Sequence, residues 1–318
     1  MEDLLKTPVS SWPHLPWDQH NDYQPEKALH VLRTHLEGRR HGPETFEHHL
    51  ESTLDFVFYS NQAEGIDHEF CATRLMLQQA MDEENGAIPG HGLQQRRQAA
   101  QGDAEHRRNL RFVVQHYQAL RQVRGMKVSD FTVPSLNSIH HTLLEGLEDV
   151  DGDTTVTPGQ LRTEARCATG ISSRPVQYLM HDQIPSQYED LVTLVRCRMK
   201  ETVPAQDLAG GLALAGFFLV KFLEIHPYGD GNGRIARLLV HAILRLHGIT
   251  NPLVLVRGRF RRARRHYLQM LDRIQHRAES PTMAFTFLLS HAYDNACMEA
   301  AAADRGVQRG GEVEGKGT

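Results

Sequence analysis

The chain has 318 residues, and 35 Lys and Arg against 39 Asp and Glu leave a formal charge of −4, which argues against a general nucleic-acid or membrane-surface binder. A hydrophobic share of 40% with 23% charged residues supplies a real core and excludes a disordered chain. Cys71, Cys167, Cys197 and Cys297 are scattered without a CxxC pair, so they read as reduced thiols rather than a zinc site or disulfide framework.

In chain order, residues 1–43 carry several Pro, His and Trp with little periodicity and predict an arm with one short helix near Pro25 to Glu37. A helix to about Asn61, which Gly65 would terminate, and another from about Asp67 to Met81 follow. Asn85 to Gly102, rich in Gly and Gln, reads as an exposed loop. Helical patterns then run over Glu105–Val123 and Pro134–Leu147, the latter starting near Thr132 or Val133. The turn pair Pro158-Gly159 opens a short extended stretch that Gly170 and Pro175 close, the one extended element expected. Asp182–Lys200, Gln206–Ile225, Asn232–His247, Gly258–Arg277 and Pro281–Ala302 complete a mainly helical set. The tail at 304–318, with five glycines and several charges, reads as disordered.

Several features carry no special chemistry. Asp149-Val150-Asp151-Gly152-Asp153 starts like a calcium loop, but Thr154 and Gln160 stand where the turn glycine and closing glutamate belong. The 20 histidines show no metal-ligand spacing. The start, Met1 to Lys6, lacks a basic stretch followed by an apolar core, and the greasy run Leu208–Val220 is short for a membrane span. A cytoplasmic protein with no membrane partner is therefore expected.

The chemistry gathers between two greasy helices, in His226-Pro227-Tyr228-Gly229-Asp230-Gly231-Asn232-Gly233-Arg234-Ile235-Ala236-Arg237. Gly231, Asn232 and Gly233 can turn backbone N–H groups toward one point, and a helix starting there adds the positive end of its dipole. Arg234 and Arg237, three positions apart, share a helical face and can grip several phosphate oxygens. Asp230 is a hard oxygen ligand suited to Mg²⁺ between phosphates. His226 is the side chain best able to take a proton near neutral pH.

This run resembles the signature of the Fic family, His-Pro-Phe-x-Asp-Gly-Asn-Gly-Arg-x-x-Arg, and departs from it only at Tyr228, where phenylalanine is usual. An aromatic there packs into the core, and the Tyr228 hydroxyl needs a partner. The resemblance covers roughly residues 45–300 and implies an all-α Fic fold, a helical bundle with a short β-hairpin flap. The implied domain spans 44–303, between the arm and the tail. The implied activity is transfer of AMP from ATP to a serine, threonine or tyrosine hydroxyl of a target protein. The phosphorylating Doc branch departs from the Gly-Asn-Gly core that is kept here. His226 would deprotonate the hydroxyl and Asp230 would hold Mg²⁺. Gly231, Asn232 and Gly233 would form the anion cradle, and Arg234 and Arg237 would grip the β- and γ-phosphates.

Three further elements take meaning from the resemblance. Ser60, Glu64 and Gly65 match the short inhibitory motif (Ser/Thr)-x-x-x-Glu-(Gly/Asn), at the end of an implied inhibitory helix over about 45–65. Glu64 would pair with Arg237 and deny it to the γ-phosphate. Gly159-x-x-Arg162 resembles the opening of the flap, with Thr163, Glu164, Ala165 and Arg166 as the residues that would hold a target backbone. Tyr267 and Gln275 fall where similar proteins place residues near the adenine, although asparagine is commoner than glutamine there. The arginines between Arg261 and Arg265 read as an exposed basic helix face. Two alternatives stay open: an enzyme that removes AMP from a modified protein, and an idle ATP-binding interaction module. Fic proteins often dimerise, which leaves a homodimer open as well.

Overall fold

The computed structural model describes residues 3–16, 24–39, 46–66, 69–84, 104–146, 156–169, 172–256, 261–276 and 278–314. Its helices, in chain order, are α1 (Pro25–Arg39), α2 (Phe46–Ala63), α3 (Phe70–Glu84), α4 (Ala104–Gly125) and α5 (Val133–Leu144). After a hairpin of β1 (Cys167–Thr169) and β2 (Pro175–Gln177) come α6 (Ile184–Thr202), α7 (Leu208–Ile225), α8 (Asn232–Leu246), α9 (Arg261–Gln275) and α10 (Thr282–Glu314). The fold is all-α with a short hairpin, and the expected loop at 85–102 lies outside the described residues.

Helix α7 is the axis on which the site is built. Asp207 caps it by accepting a hydrogen bond from the Gly210 N–H at 2.9 Å. The helix runs through a nearly unbroken apolar sequence and packs against α6, α8 and α10. By length and composition it could cross a membrane, but 78% of that stretch is buried within the fold. Phe217, Phe218 and Phe222 are fully enclosed, each worth about 1.5–3 kcal/mol of transferred apolar surface. Helix α8 lies against α7 and is buried along most of its length, including two arginines. Two enclosed helices thus hold the loop between them at both ends.

The N-terminal segment is better fixed than its aperiodic sequence predicts. Trp12 and Leu15 are buried, and the Trp12 ring stands edge-on to Phe285 of α10 at 5.5 Å. The Thr286 hydroxyl donates to the Pro13 carbonyl at 2.7 Å. Glu299 of α10 accepts from His35 (2.9 Å), Arg39 (2.6 Å) and Asn251 (2.7 Å), which docks α1. At the other end, α10 continues to Glu314, so helix occupies most of the 304–318 stretch read as disordered. The run of alanines at 300–303 gives the helix no stop there.

The hairpin is antiparallel, with Cys167 opposite Gln177, Ala168 opposite Val176 and Thr169 opposite Pro175. Thr163 to Arg166 lie just ahead of β1 rather than in it. The pairing still reaches Arg166, whose carbonyl accepts from the Tyr178 N–H at 3.4 Å.

Candidate functional site

Helix α7 ends at His226, which adopts a left-handed backbone conformation (φ 51°, ψ 62°) although it is not glycine. The turn swings the imidazole under the hairpin, where the Tyr178 ring stacks on it at 3.7 Å and 12°. Burial, helped by the Arg162 charge, holds the His226 pKa down to about 4, against the Leu223 carbonyl and the Glu64 and Asp230 carboxylates. The imidazole is therefore neutral at pH 7, the state in which it can accept a proton.

The loop after His226 is held from within. The Asn232 side chain accepts from the Tyr228 N–H (3.1 Å) and donates to the Tyr228 carbonyl (2.8 Å). Asn232 thus staples the loop with its side chain, and only its backbone is left for an anion. The Tyr228 hydroxyl donates to Asn137 Oδ1 at 2.8 Å and lies 3.1 Å from the Tyr188 hydroxyl, so the partner it requires is supplied twice. The His140 ring stacks on Tyr228 at 3.7 Å. Because the Gly159 N–H donates to His140 Nδ1 at 2.9 Å, Nε2 carries the proton and donates to the Asp230 carbonyl at 3.0 Å. His140 therefore ties the Gly159 turn to the loop, and burial holds its pKa to about 4.

Helix α8 begins after Gly231, whose φ of 74° only glycine adopts cheaply. The first internal bond to this turn is Ile235 N–H to the Gly231 carbonyl at 3.0 Å, so the N–H groups ahead of it face outward as an anion seat. The Glu64 carboxylate stands at that seat. A Cβ on Gly233 would overlap Glu64 Oε1, so any larger residue there would push the carboxylate off the seat. Glu64 Oε1 accepts from Arg237 Nη2 at 2.6 Å. Arg237, 2% exposed, also donates to the Ser60 hydroxyl and the Ser60 carbonyl, both at 2.8 Å. Burial raises the Glu64 pKa, but the charges of Arg237, Arg234 and Arg264 and the Arg237 hydrogen bond outweigh it, and the net shift is downward. Glu64 is ionised, with a side chain one-third exposed at 33%.

Arg234 is buried over the Phe112 ring, its guanidinium carbon 4.9 Å from the centroid. One N–H group reaches Asp230 Oδ2 at 3.3 Å, whereas Nε and Nη1 are enclosed with no hydrogen-bond partner among the described residues. Asp230 itself is open, with 62% of its side chain exposed. Among the described residues no group of three His, Cys, Asp or Glu is placed to hold a metal, so Asp230 would act as a single carboxylate ligand.

A cavity of about 690 Å³ joins the parts. Glu64, His226, Gly233, Arg237, Tyr267 and Gln275 line it, with Ala168, Val176 and Tyr178 from the hairpin side. Ser60, Gly65, Asp230, Gly231, Asn232, Arg234 and Thr163–Arg166 do not line it, and several of them act from behind or at the edge. Tyr267 is buried and its hydroxyl faces the Arg237 guanidinium. Arg264 and Arg265 are exposed, as expected, yet they also line the cavity, and Arg264 Nε donates to the Ala63 carbonyl at 2.9 Å. The Ser172 hydroxyl donates to Asp272 Oδ1 at 2.7 Å, which closes the hairpin onto α9.

Sequence reading assigned no role to Tyr178, His140 or Asn137, and none to the Arg162 side chain. Apart from the Glu164 carbonyl, their partners are side chains and backbone atoms distant in the chain, which no local pattern encodes.

The model of the Fic/DOC family matches residues 130–244. Protein adenylyltransferase Fic of Nematostella vectensis is 23% identical over 240 residues, covering 74% of this chain and 46% of that protein. Protein adenylyltransferase fic-1 of Caenorhabditis briggsae is 23% identical over 229 residues, covering 72% and 39%. The chain thus spans less than half the length of these curated relatives. Among solved structures, Fic-1 (residues 134–508) of C. elegans superposes with a TM-score of 0.64 at 18% identity, covering 88% of this chain and 73% of that one. A Fic-domain-containing signaling protein of Bacteroides thetaiotaomicron gives 0.61 at 18% identity, covering 85% and 91%. The helical bundle with its hairpin shares the fold of these Fic-domain structures, and the stretch similar to the Fic/DOC family, residues 130–244, carries α5 to α7, the hairpin and all but the end of α8.

Proposed function

We propose that the chain is a protein adenylyltransferase that moves AMP from ATP to a hydroxyl of a target protein and is held off by Glu64. The observation that carries this reading is the Glu64 carboxylate on the first turn of α8, 2.6 Å from Arg237. An anion already stands where unpaired backbone N–H groups and a buried guanidinium converge, so a triphosphate needs the same ground. The two enclosed N–H groups of Arg234 fit phosphate oxygens of such a ligand. Asp230 would hold Mg²⁺ together with those phosphates, and the ion would neutralise part of their charge.

In the proposed reaction the target hydroxyl oxygen attacks the α-phosphorus and its proton passes to the neutral His226 imidazole. The bond to the bridging oxygen breaks, and pyrophosphate leaves with its charge spread over Arg234, Arg237 and the α8 amides. A base with a pKa of about 4 is weak in the free protein, but the negative triphosphate beside it would raise that value toward neutrality. Tyr267 and Gln275 would bound the base end of the cavity.

The test is incorporation of label from α-labelled ATP. Glu64→Gly is expected to raise incorporation by roughly tenfold or more, as removing a competitor worth at least 1.4 kcal/mol would. Adding His226→Ala to that variant is expected to abolish the gain. Incorporation no higher in Glu64→Gly than in the parent would sink the inhibitory role, and label that survives His226→Ala would sink the transfer step.

A further inference from the structure

We infer that Arg162 is a positioning residue for this site, joining the His226 backbone and both limbs of the hairpin into one unit. The inference rests on the proposed transfer reading for its purpose, and on four hydrogen bonds for its geometry. Arg162 is 5% exposed and donates from Nε to the His226 carbonyl at 2.7 Å. Nη2 donates to the Ile225 carbonyl at 3.3 Å and also to the Leu179 carbonyl, and Nη1 donates to the Glu164 carbonyl at 2.5 Å. Glu164 precedes β1 and Leu179 follows β2, so one guanidinium holds the two limbs at their base.

The other two acceptors are the last carbonyls of α7, which a helix leaves unpaired and partly negative. A cation there stabilises a helix end that His226 makes costly by turning left-handed. The Arg162 N–H donates to the Pro227 carbonyl at 2.9 Å, and the Leu179 N–H donates to the Glu224 carbonyl at 3.3 Å, so backbone bonds reinforce the same joint. A target segment that pairs with the hairpin is thereby delivered at a fixed distance from the imidazole. Only the planar five-donor fork of arginine reaches four carbonyls from one point; a lysine ammonium cannot.

The test uses the Glu64→Gly protein carrying Arg162→Lys or Arg162→Gln. Both are expected to lower kcat for label transfer by roughly 10- to 100-fold while KM for ATP stays within about twofold, the mark of lost orientation rather than lost donor binding. Lysine is expected not to rescue. Amide hydrogen exchange should quicken in 167–169 and 176–179 and stay unchanged in α8. A kcat within about twofold of the parent, or a loss shared equally by ATP binding, would overturn the inference. Unchanged exchange in the hairpin would overturn it too, including in the case where Glu64→Gly itself fails to label, an outcome that counts against the transfer reading instead.

Discussion

At Tyr228 the hydroxyl has been absorbed into the frame rather than into the chemistry. Asn137, half-buried, accepts its proton, and the buried Tyr188 donates to its oxygen. Tyr228→Phe would leave those two groups unmatched, costing about 1–3 kcal/mol of stability with transfer kinetics unchanged. A urea midpoint equal to the parent's would contradict this. Ser60 illustrates a different economy, since it supplies two of the three oxygens that hold Arg237. Ser60→Ala removes one of them and is expected to raise label incorporation several-fold, by less than Glu64→Gly does, because the Ser60 carbonyl and the Glu64 carboxylate still hold the guanidinium. Residue identities were the most legible layer of the site. Glu64 and Arg237 were paired from the motif alone, and the structure brings them into contact across 173 positions. The role of the Asn232 side chain is not legible in the sequence, for a physical reason. A glycine-flanked asparagine reads as a turn or an anion cradle, while its true partners are the backbone atoms of Tyr228, for which a sequence has no letter.

At the scale of elements, long apolar periodicities leave little choice of helix position. Helices α4, α6 and α8 begin and end within two residues of where the pattern placed them. The hairpin was harder. Strands of three residues carry too few side chains for a period-two signal, so the flap residues were placed just ahead of β1. The contact between α9 and the end of α2 was also invisible, because Arg264 meets a carbonyl rather than a side chain. That contact predicts coupling between elements. Arg264→Ala should loosen the end of α2 and raise incorporation in the parent, yet change it little once Glu64→Gly has already opened the site. Equal effects in both backgrounds would show that Arg264 acts on the donor and not on the lock.

For the molecule as a whole, buried histidines set a limit in acid. Burial holds His140, His226 and His291 each at about 4, below the ordinary 6.5, so each resists protonation in the folded state. The unfolded chain then binds more protons between those values, and stability contributed by these groups is present above pH 6.5 and lost as pH falls toward 4. The urea midpoint should therefore drop between pH 7 and pH 5. A midpoint that is flat or rising over that interval would show that the three rings are not buried neutral. The asymmetry of the lock matters at this scale as well. All three oxygens on Arg237 come from α2 and the turn that ends it, so the guanidinium cannot be released by thirds. Slow turnover in the parent would then be a matter of occupancy, with a small fraction of molecules fully competent while the rest are silent. Followed one molecule at a time, such a protein would work in bursts separated by long pauses, and whatever lengthens its activity would do so by moving one helix.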